Sequence, residues 1–312
     1  MRLPFASLFA LEHILWDSAA KRIGQRRQQS YPKLPRGLVF DSQPLQATNA
    51  EEAMELFAGA GLPVIWKGGA GSTSLMRWTT DYLKSVAGEI RVKILALPGL
   101  GAQPEDSADQ VMPLSQYIDQ LPEARSYLRF SDLIERSKIL QADLPLELLK
   151  KFSGARSRIN LQFFLGPGGA RTPLHAEMNC NIFIQVFGKK RWLVLPAGAT
   201  PELAVPAAHR FYFFSEVDAF ADQTSDAAPN VLQGIEILLE PGDILLCPPL
   251  VWHAVENLTA SCSVGYKFND YLRALRTSPL LFGMNTLARN PSYFTYLWQT
   301  LVRRKHPILS SE

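Results

Sequence analysis

The spacing of apolar residues along this chain changes period twice. The first thirty residues read as an amphipathic helix that turns basic at Lys21, Arg22, Arg26 and Arg27, a solvated face in the simplest reading. A linker follows at Ser30-Tyr31-Pro32-Lys33-Leu34-Pro35-Arg36-Gly37. Ala53, Leu56, Phe57 and Ala60 then recur at helical spacing over residues 50–61, with Gly61 suited to the helix end. A short strand is expected over 62–66, a helix over 78–86, and a strand over 91–95, where charged and apolar residues alternate. Residues 113–153 read as mainly helical, with Pro145 near a helix start.

At Arg158 the period becomes two. Short β-type runs follow at 160–165, 181–186, 191–195, 234–239, 243–247 and 262–268, separated by Gly-Pro-Gly-Gly, Phe-Gly-Lys-Lys and Pro-Gly-Asp turns. Many short strands with regular turn signals indicate a sandwich or barrel. From Tyr271 to His306 the chain returns to helix, with Leu280, Leu281, Met284, Leu287, Tyr293 and Leu297 supplying apolar faces. The expected architecture is mainly β with flanking helices. A helical and strand region over 1–157 packs on a barrel core over 158–270, and C-terminal helices occupy 271–312, all one integrated domain.

Composition narrows the function classes. With 312 residues, 47% of them hydrophobic and 20% charged, the chain buries a large core without staples. Its three cysteines, Cys180, Cys247 and Cys262, lack CxxC spacing, which argues against a disulfide framework or a zinc ribbon and fits a reducing, cytoplasmic setting. A net charge of +3 is too small to imply nucleic acid. No run reaches the roughly 18 apolar residues a membrane helix needs. The N-terminal apolar run is short for a signal sequence, so the chain is expected to be soluble and untargeted.

The candidate chemistry sits in Gly166-Pro167-Gly168-Gly169-Ala170-Arg171-Thr172-Pro173-Leu174-His175-Ala176-Glu177. On a strand, residues i and i+2 share a face, so His175 and Glu177 can both enter a barrel interior and flank one metal. A second imidazole would complete a two-histidine, one-carboxylate triad, the ligand set of non-haem iron(II). Of the five histidines (13, 175, 209, 253 and 306), His253 is the best third ligand. It follows a turn at Glu240-Pro241-Gly242-Asp243, a buried run and the rigid Pro248-Pro249 break. Such a triad leaves positions open for a bidentate cosubstrate and dioxygen. A lone histidine on an apolar strand is more commonly structural; the second histidine, the carboxylate and the turn order give this one its weight.

Residues 160–268 resemble the cupin-like JmjC family of iron(II)- and 2-oxoglutarate-dependent oxygenases, in particular its asparaginyl-hydroxylase-like branch. The resemblance is carried by Thr172-Pro173-Leu174-His175-Ala176-Glu177, Asn181, Gln185-Val186-Phe187-Gly188-Lys189-Lys190-Arg191-Trp192, Ser215-Glu216-Val217-Asp218, Pro241-Gly242-Asp243 and Trp252-His253. It implies a double-stranded β-helix (jelly-roll) barrel, with iron(II) on His175, Glu177 and His253 and 2-oxoglutarate as cosubstrate. It further implies that Lys190 and Thr172 hold the distal carboxylate and that Asn181 lies beside the cosubstrate. Without the resemblance Lys190 would pass for an exposed turn residue, and strand alternation turns only one of Lys189 and Lys190 inward. Two departures stand out. Glu177 replaces the aspartate more common among hydroxylases of this group. Gly265 replaces an asparagine found in some relatives, which is expected to widen the pocket.

The family chemistry implies oxidative decarboxylation of 2-oxoglutarate coupled to hydroxylation of a protein or peptide side chain, with a small metabolite as the alternative substrate. A non-oxygenase metal-binding cupin and a catalytically idle scaffold are the competing classes; a cupin of the first kind has no use for Lys190 and Thr172. Cys180 is expected to be packing. The long segment 197–233, with Phe211-Tyr212-Phe213-Phe214, is expected either to meet substrate or to cover the barrel. The C-terminal helices are expected to dimerise, as in related hydroxylases, or to pack on their own barrel.

Overall fold

The alternation that begins at Arg158 becomes two facing sheets in the computed structural model, which describes residues 37–41, 43–59, 61–96, 109–124, 126–154, 156, 158–203, 212–215, 217–221 and 231–288. In chain order the strands are β1 (Gly37–Asp41), β2 (Leu45–Ala47), β3 (Val64–Trp66), β4 (Arg91–Ala96), β5 (Asp109–Pro113), β6 (Ser126–Ser131), β7 (Arg158–Gly166) and β8 (Arg171–Glu177). They continue with β9 (Cys180–Phe187), β10 (Lys190–Leu195), β11 (Tyr212–Phe214), β12 (Val231–Leu239), β13 (Ile244–Cys247), β14 (Trp252–Asn257) and β15 (Ser261–Phe268). One sheet runs β1-β12-β10-β14-β8-β11 and the other β2-β3-β13-β9-β15-β7-β6-β4-β5. Helices α1 (Ala50–Gly59), α2 (Thr80–Ala87), α3 (Leu114–Gln120), α4 (Leu133–Arg136), α5 (Lys138–Ala142) and α6 (Leu146–Ser153) precede the barrel core, and α7 (Tyr271–Thr277) and α8 (Pro279–Ala288) follow it. None of the described helices is long and apolar enough to cross a membrane.

Three apolar layers hold this arrangement. Between the sheets, Phe164, Phe183 and Leu245 meet Trp192, Val194, Ile237 and Leu239. Outside the larger sheet, Phe57, Leu83, Ile118 and Leu149 gather with Ile182, Ile184 and Val264. Outside the smaller sheet, Ala274 and Leu281 gather with Leu174, Leu193 and Trp252. Each large apolar side chain removed from water contributes roughly 1.5–3 kcal/mol. Because helices cover the outer face of the larger sheet, β15 is buried along its whole length and its two faces cannot be told apart by polarity alone.

Turn chemistry sets the register. Gly188 has φ +72°, and a Cβ there would stand 2.1 Å from the Ala260 carbonyl oxygen, so only glycine lets β9 turn into β10. In the Pro241-Gly242-Asp243 turn the Asp243 carboxylate accepts from the Lys67 ammonium at 2.6 Å, the Glu240 amide at 2.7 Å and the Gly68 amide at 3.0 Å. That one side chain ties the β12–β13 turn to the segment after β3.

The helices expected over 50–61 and 78–86 appear as α1 and α2, and the strand over 91–95 as β4. The mainly helical reading of 113–153 holds in α3–α6, and β6 interrupts it, paired with β7 through Leu128↔Leu165 and Ser131↔Phe163. Sheet pairing overrides local propensity there. Tyr212–Phe214, inside the long segment, forms an edge strand on β8. The basic helix expected over the first thirty residues, most of the expected linker, His13, His209, His306 and the tail beyond residue 288 lie outside the described residues.

A buried carboxylate anchors the helical layer. Asp143 accepts from Trp78 Nε1 at 2.9 Å, from the Tyr82 hydroxyl at 2.6 Å and from Arg77. Burial alone would raise its carboxyl pKa, but these hydrogen bonds outweigh burial and hold it below the ordinary aspartate value. Replacing Asp143 with alanine leaves the buried Trp78 Nε1 unpaired and takes a partner from the half-buried Tyr82 hydroxyl, an expected loss of about 1–3 kcal/mol in denaturant unfolding at neutral pH. The sign with pH follows from the depressed value. Asp143's contribution is complete above the unfolded carboxyl pKa, about 4, and is lost as pH falls through the folded one. The alanine variant should therefore lose less stability on acidification than the wild type.

Candidate active site

His175 and His253 are direct cross-strand partners between β8 and β14, with ring centroids 4.2 Å apart. Each ring is oriented by the same local device. Nδ1 of His175 lies 2.8 Å from the Pro173 carbonyl oxygen, and Nδ1 of His253 lies 3.0 Å from that of Val251, two residues back in both cases. A carbonyl can only accept, so each Nδ1 carries the proton and each Nε2 keeps its lone pair. Phe214 stacks on His175 at 5.8 Å and Trp192 on His253 at 5.0 Å, which fixes both ring planes. Burial, and then the facing His253, hold His175 well below the ordinary histidine pKa; burial lowers His253 as well. Both imidazoles are in the neutral, metal-ligating form.

Glu177 shares this face of β8 and is 3% exposed, but its carboxylate is engaged: Oε2 accepts from the ammonium of Lys267 on β15. The same ammonium donates to the Tyr212 hydroxyl at 3.2 Å and lies 5.7 Å from the Phe130 ring centroid. Burial pulls the Lys267 pKa down, and Glu177 and Tyr212 more than offset this, so it stands above the ordinary lysine value. Among the described residues no three histidine, cysteine, aspartate or glutamate side chains are drawn together as a ready metal cluster. The structure brings the two histidines together and turns Glu177 toward a lysine. Sequence reasoning missed Lys267; the available signal was a charged residue inside the apolar run 262–268.

Lys190 is fully buried, whereas Lys189 is half exposed and pairs with Glu240 at 2.7 Å. The Lys190 ammonium donates to the Tyr127 hydroxyl at 2.7 Å and to Asn257 Oδ1 at 2.9 Å, among the rings of Tyr127, Phe164 and Phe183. Among the described residues no carboxylate pairs with it, and burial brings its pKa down to about 7. Neither Tyr127 nor Asn257 was singled out in the sequence. Thr172 is buried, opposite Val255 on β14, two residues before Asn257. Asn181 is buried on β9 opposite Lys267, and its Oδ1 has no hydrogen-bond partner. Gln162 Oε1, Asn160 Oδ1 and Trp192 Nε1 are likewise buried without partners. Unsatisfied polar atoms in a sheet interior call for a ligand or water, and an amide side chain can present either N–H or C=O to it. The widening expected at Gly265 is corrected: a Cβ there would stand 3.2 Å from Asn181 Oδ1 and 3.3 Å from the Phe164 ring, so neighbouring side chains have closed onto it.

Among the described residues only Phe130 (φ +55°) and Leu250 (φ +62°) are non-glycine residues with left-handed backbone, and both abut the site. Phe130 presents its ring to Lys267, and the Leu250 amide donates to the Glu177 carbonyl at 2.7 Å. Strain of this kind persists where the surroundings over-determine it. Phe213 is buried outward, whereas Tyr212 and Phe214 flank the His175 ring, so this part of the aromatic segment covers the histidine pair. Cys180 is packing, its thiol pushed up to about 12 by burial.

A cupin-like domain family model matches residues 50–272, more than half of the chain. The chain belongs to the cupin-like family. Its relatives include lysine-specific demethylase JMJ30 of Arabidopsis thaliana, 29% identical over 61% of this chain and 45% of that protein. Jumonji C domain-containing protein 5 of Drosophila melanogaster is 26% identical over 62% of this chain and 51% of its own length. Lysine-specific demethylase 8 of Xenopus tropicalis is 24% identical, with 62% and 44% covered. The cupin-like JmjC resemblance read from the sequence is thus confirmed at the level of family, and the chain spans about half the length of the relatives it matches.

The residues present fit the group that this family's chemistry requires. Two Nε2 lone pairs and the Glu177 carboxylate are the donor types of an iron(II) site, with the two histidines brought together and Glu177 engaged by Lys267. A carboxylate offers two oxygens, so Lys267 on Oε2 leaves the other for a metal. The buried ammonium of Lys190, without a carboxylate partner among the described residues, fits the distal end of 2-oxoglutarate.

Proposed function

We propose that this chain is an iron(II)- and 2-oxoglutarate-dependent oxygenase that hydroxylates a protein or peptide side chain, in a cytoplasmic setting. The observation that carries the reading is the pairing of two neutral, fully oriented histidines with a buried lysine that has no acidic partner among the described residues. His175, His253 and Glu177 would hold the metal, and Lys190, supported by Tyr127 and Asn257, would receive the distal carboxylate. Thr172 and Asn181 would line the cosubstrate. When bound, iron(II) would supply dioxygen activation driven by decarboxylation of 2-oxoglutarate. Phe214, Trp192 and Phe164 keep bulk water from the donors.

Two of the relatives carry lysine demethylation in their names. Here a resident ammonium, Lys267, already lies beside Tyr212, Phe130 and Glu177. A methylated lysine brought to the same place would meet like charge, which supports a neutral target side chain. A small metabolite is the second reading, supported by the enclosed, polar-lined interior.

Anaerobic titration with iron(II) and then 2-oxoglutarate should produce a visible metal-to-ligand charge-transfer band, and admitting air should yield succinate. Absence of both in folded protein overturns the oxygenase reading. Peptide panels compared by stimulated succinate release should favour unmodified over trimethyl-lysine peptides.

A further inference from the structure

Glu177, the carboxylate of the proposed metal site, already answers a cation of the chain itself. Lys267 is 3% exposed, and its ammonium contacts Glu177 Oε2 and the Tyr212 hydroxyl while lying 5.3 Å from the Tyr212 ring centroid and 5.7 Å from that of Phe130. A charge this deep persists only when it is paired. β15 places Lys267 opposite Asn160 of β7 and Asn181 of β9, both uncharged, so Glu177 is the carboxylate that answers it.

We propose that Lys267 is the resident counter-ion of the centre, a positioning residue that holds the Glu177 carboxylate before a metal arrives and weakens the metal's hold once it has. The inference rests on the metal reading above and goes beyond it. Without Lys267, the metal-free protein would carry an uncompensated buried carboxylate at Glu177. With it, a divalent cation must share one carboxylate with an ammonium. Like charges on opposite oxygens of one carboxylate repel strongly in a buried setting, and this outweighs the roughly 10–100-fold that an orienting partner contributes to metal affinity. The net effect of the lysine is therefore weaker, more exchangeable metal binding and a metal-free fold that stays intact.

The test measures metal binding, with no turnover needed. Iron(II) under anaerobic conditions, and cobalt(II) in its place, are titrated into wild type, Lys267→Met and Lys267→Arg in competition with a fluorescent chelator. Thermal unfolding is followed with and without metal. Lys267→Met should bind metal at least ~10-fold more tightly, melt lower when metal-free, and gain more from metal than wild type does. Lys267→Arg should stay near wild type because the charge is kept. Metal binding by Lys267→Met but not by wild type would support the proposal in its strongest form. Equal or weaker binding by Lys267→Met, with wild type binding normally, overturns it. If neither binds metal, the metal reading falls and takes this proposal with it. Lys267→Gln, polar and of similar reach, provides the same comparison where the methionine variant does not fold.

Discussion

Replacing His253 with alanine is expected to abolish iron(II) binding and 2-oxoglutarate turnover while leaving the barrel folded. Removing an outer partner of a metal ligand typically costs 10–100-fold in affinity. Loss of the ligand itself removes one of three donors, so chelator competition should show a fall beyond ~100-fold and succinate formation should drop to background. His175→Ala should behave in the same way, because the two rings are equivalent in geometry: facing partners with Nδ1 committed to a carbonyl two residues back. The cavity left by either change is moderate, a few kcal/mol by analogy with other buried truncations, and near-ultraviolet circular dichroism should report retained packing. A variant that keeps wild-type metal affinity would show that His253 only fills space between Trp192 and His175, and the triad would have to be abandoned.

Most of what places this site was legible in the sequence, for local reasons. The i, i+2 relation of His175 and Glu177 is a property of any strand, and Phe-Gly-Lys-Lys and Pro-Gly-Asp are turns whose glycines have φ +72° and +90° in the structure. The inward turn of Lys190 rather than Lys189 follows from alternation once β10 is known to begin there. What was not legible depends on register between distant strands. Lys267 reaches Glu177 from 90 residues away, and Tyr127 reaches Lys190 from 63. No local pattern sets those pairings. Tyr127 also lies on β6, a strand inside a stretch whose composition favours helix, so its place in the barrel wall was hidden twice. Gly265 taught the opposite lesson, because an absent side chain suggested space that Asn181 and Phe164 in fact occupy. A missing atom is not a cavity in a close-packed interior.

The second large effect is expected at Lys190, where binding and pH are linked. Lys190→Met should weaken 2-oxoglutarate by about 2–4 kcal/mol, roughly 30- to 1,000-fold, because the distal carboxylate would be buried without a cation. In the ligand-free protein burial brings the Lys190 pKa down to about 7, so at pH 8 the amine is mostly neutral. A dicarboxylate favours the ammonium, so its binding raises that pKa and takes up a proton. Affinity should therefore fall as pH rises above about 7, by up to tenfold per unit, until the pKa of the complex is reached. Calorimetry in two buffers of different ionisation enthalpy should show the proton uptake in wild type and none in Lys190→Met. The same depressed pKa fixes the sign for stability. The unfolded chain binds the lysine proton more readily, so this residue's cost to the ligand-free fold shrinks as pH rises from about 7 toward the ordinary lysine value. Saturating 2-oxoglutarate should remove that slope by restoring the charge in the folded state. A 2-oxoglutarate affinity independent of pH in wild type, together with unchanged binding by Lys190→Met, would place the distal carboxylate away from Lys190, although the ammonium's two neutral acceptors, Tyr127 and Asn257, leave its charge otherwise unanswered.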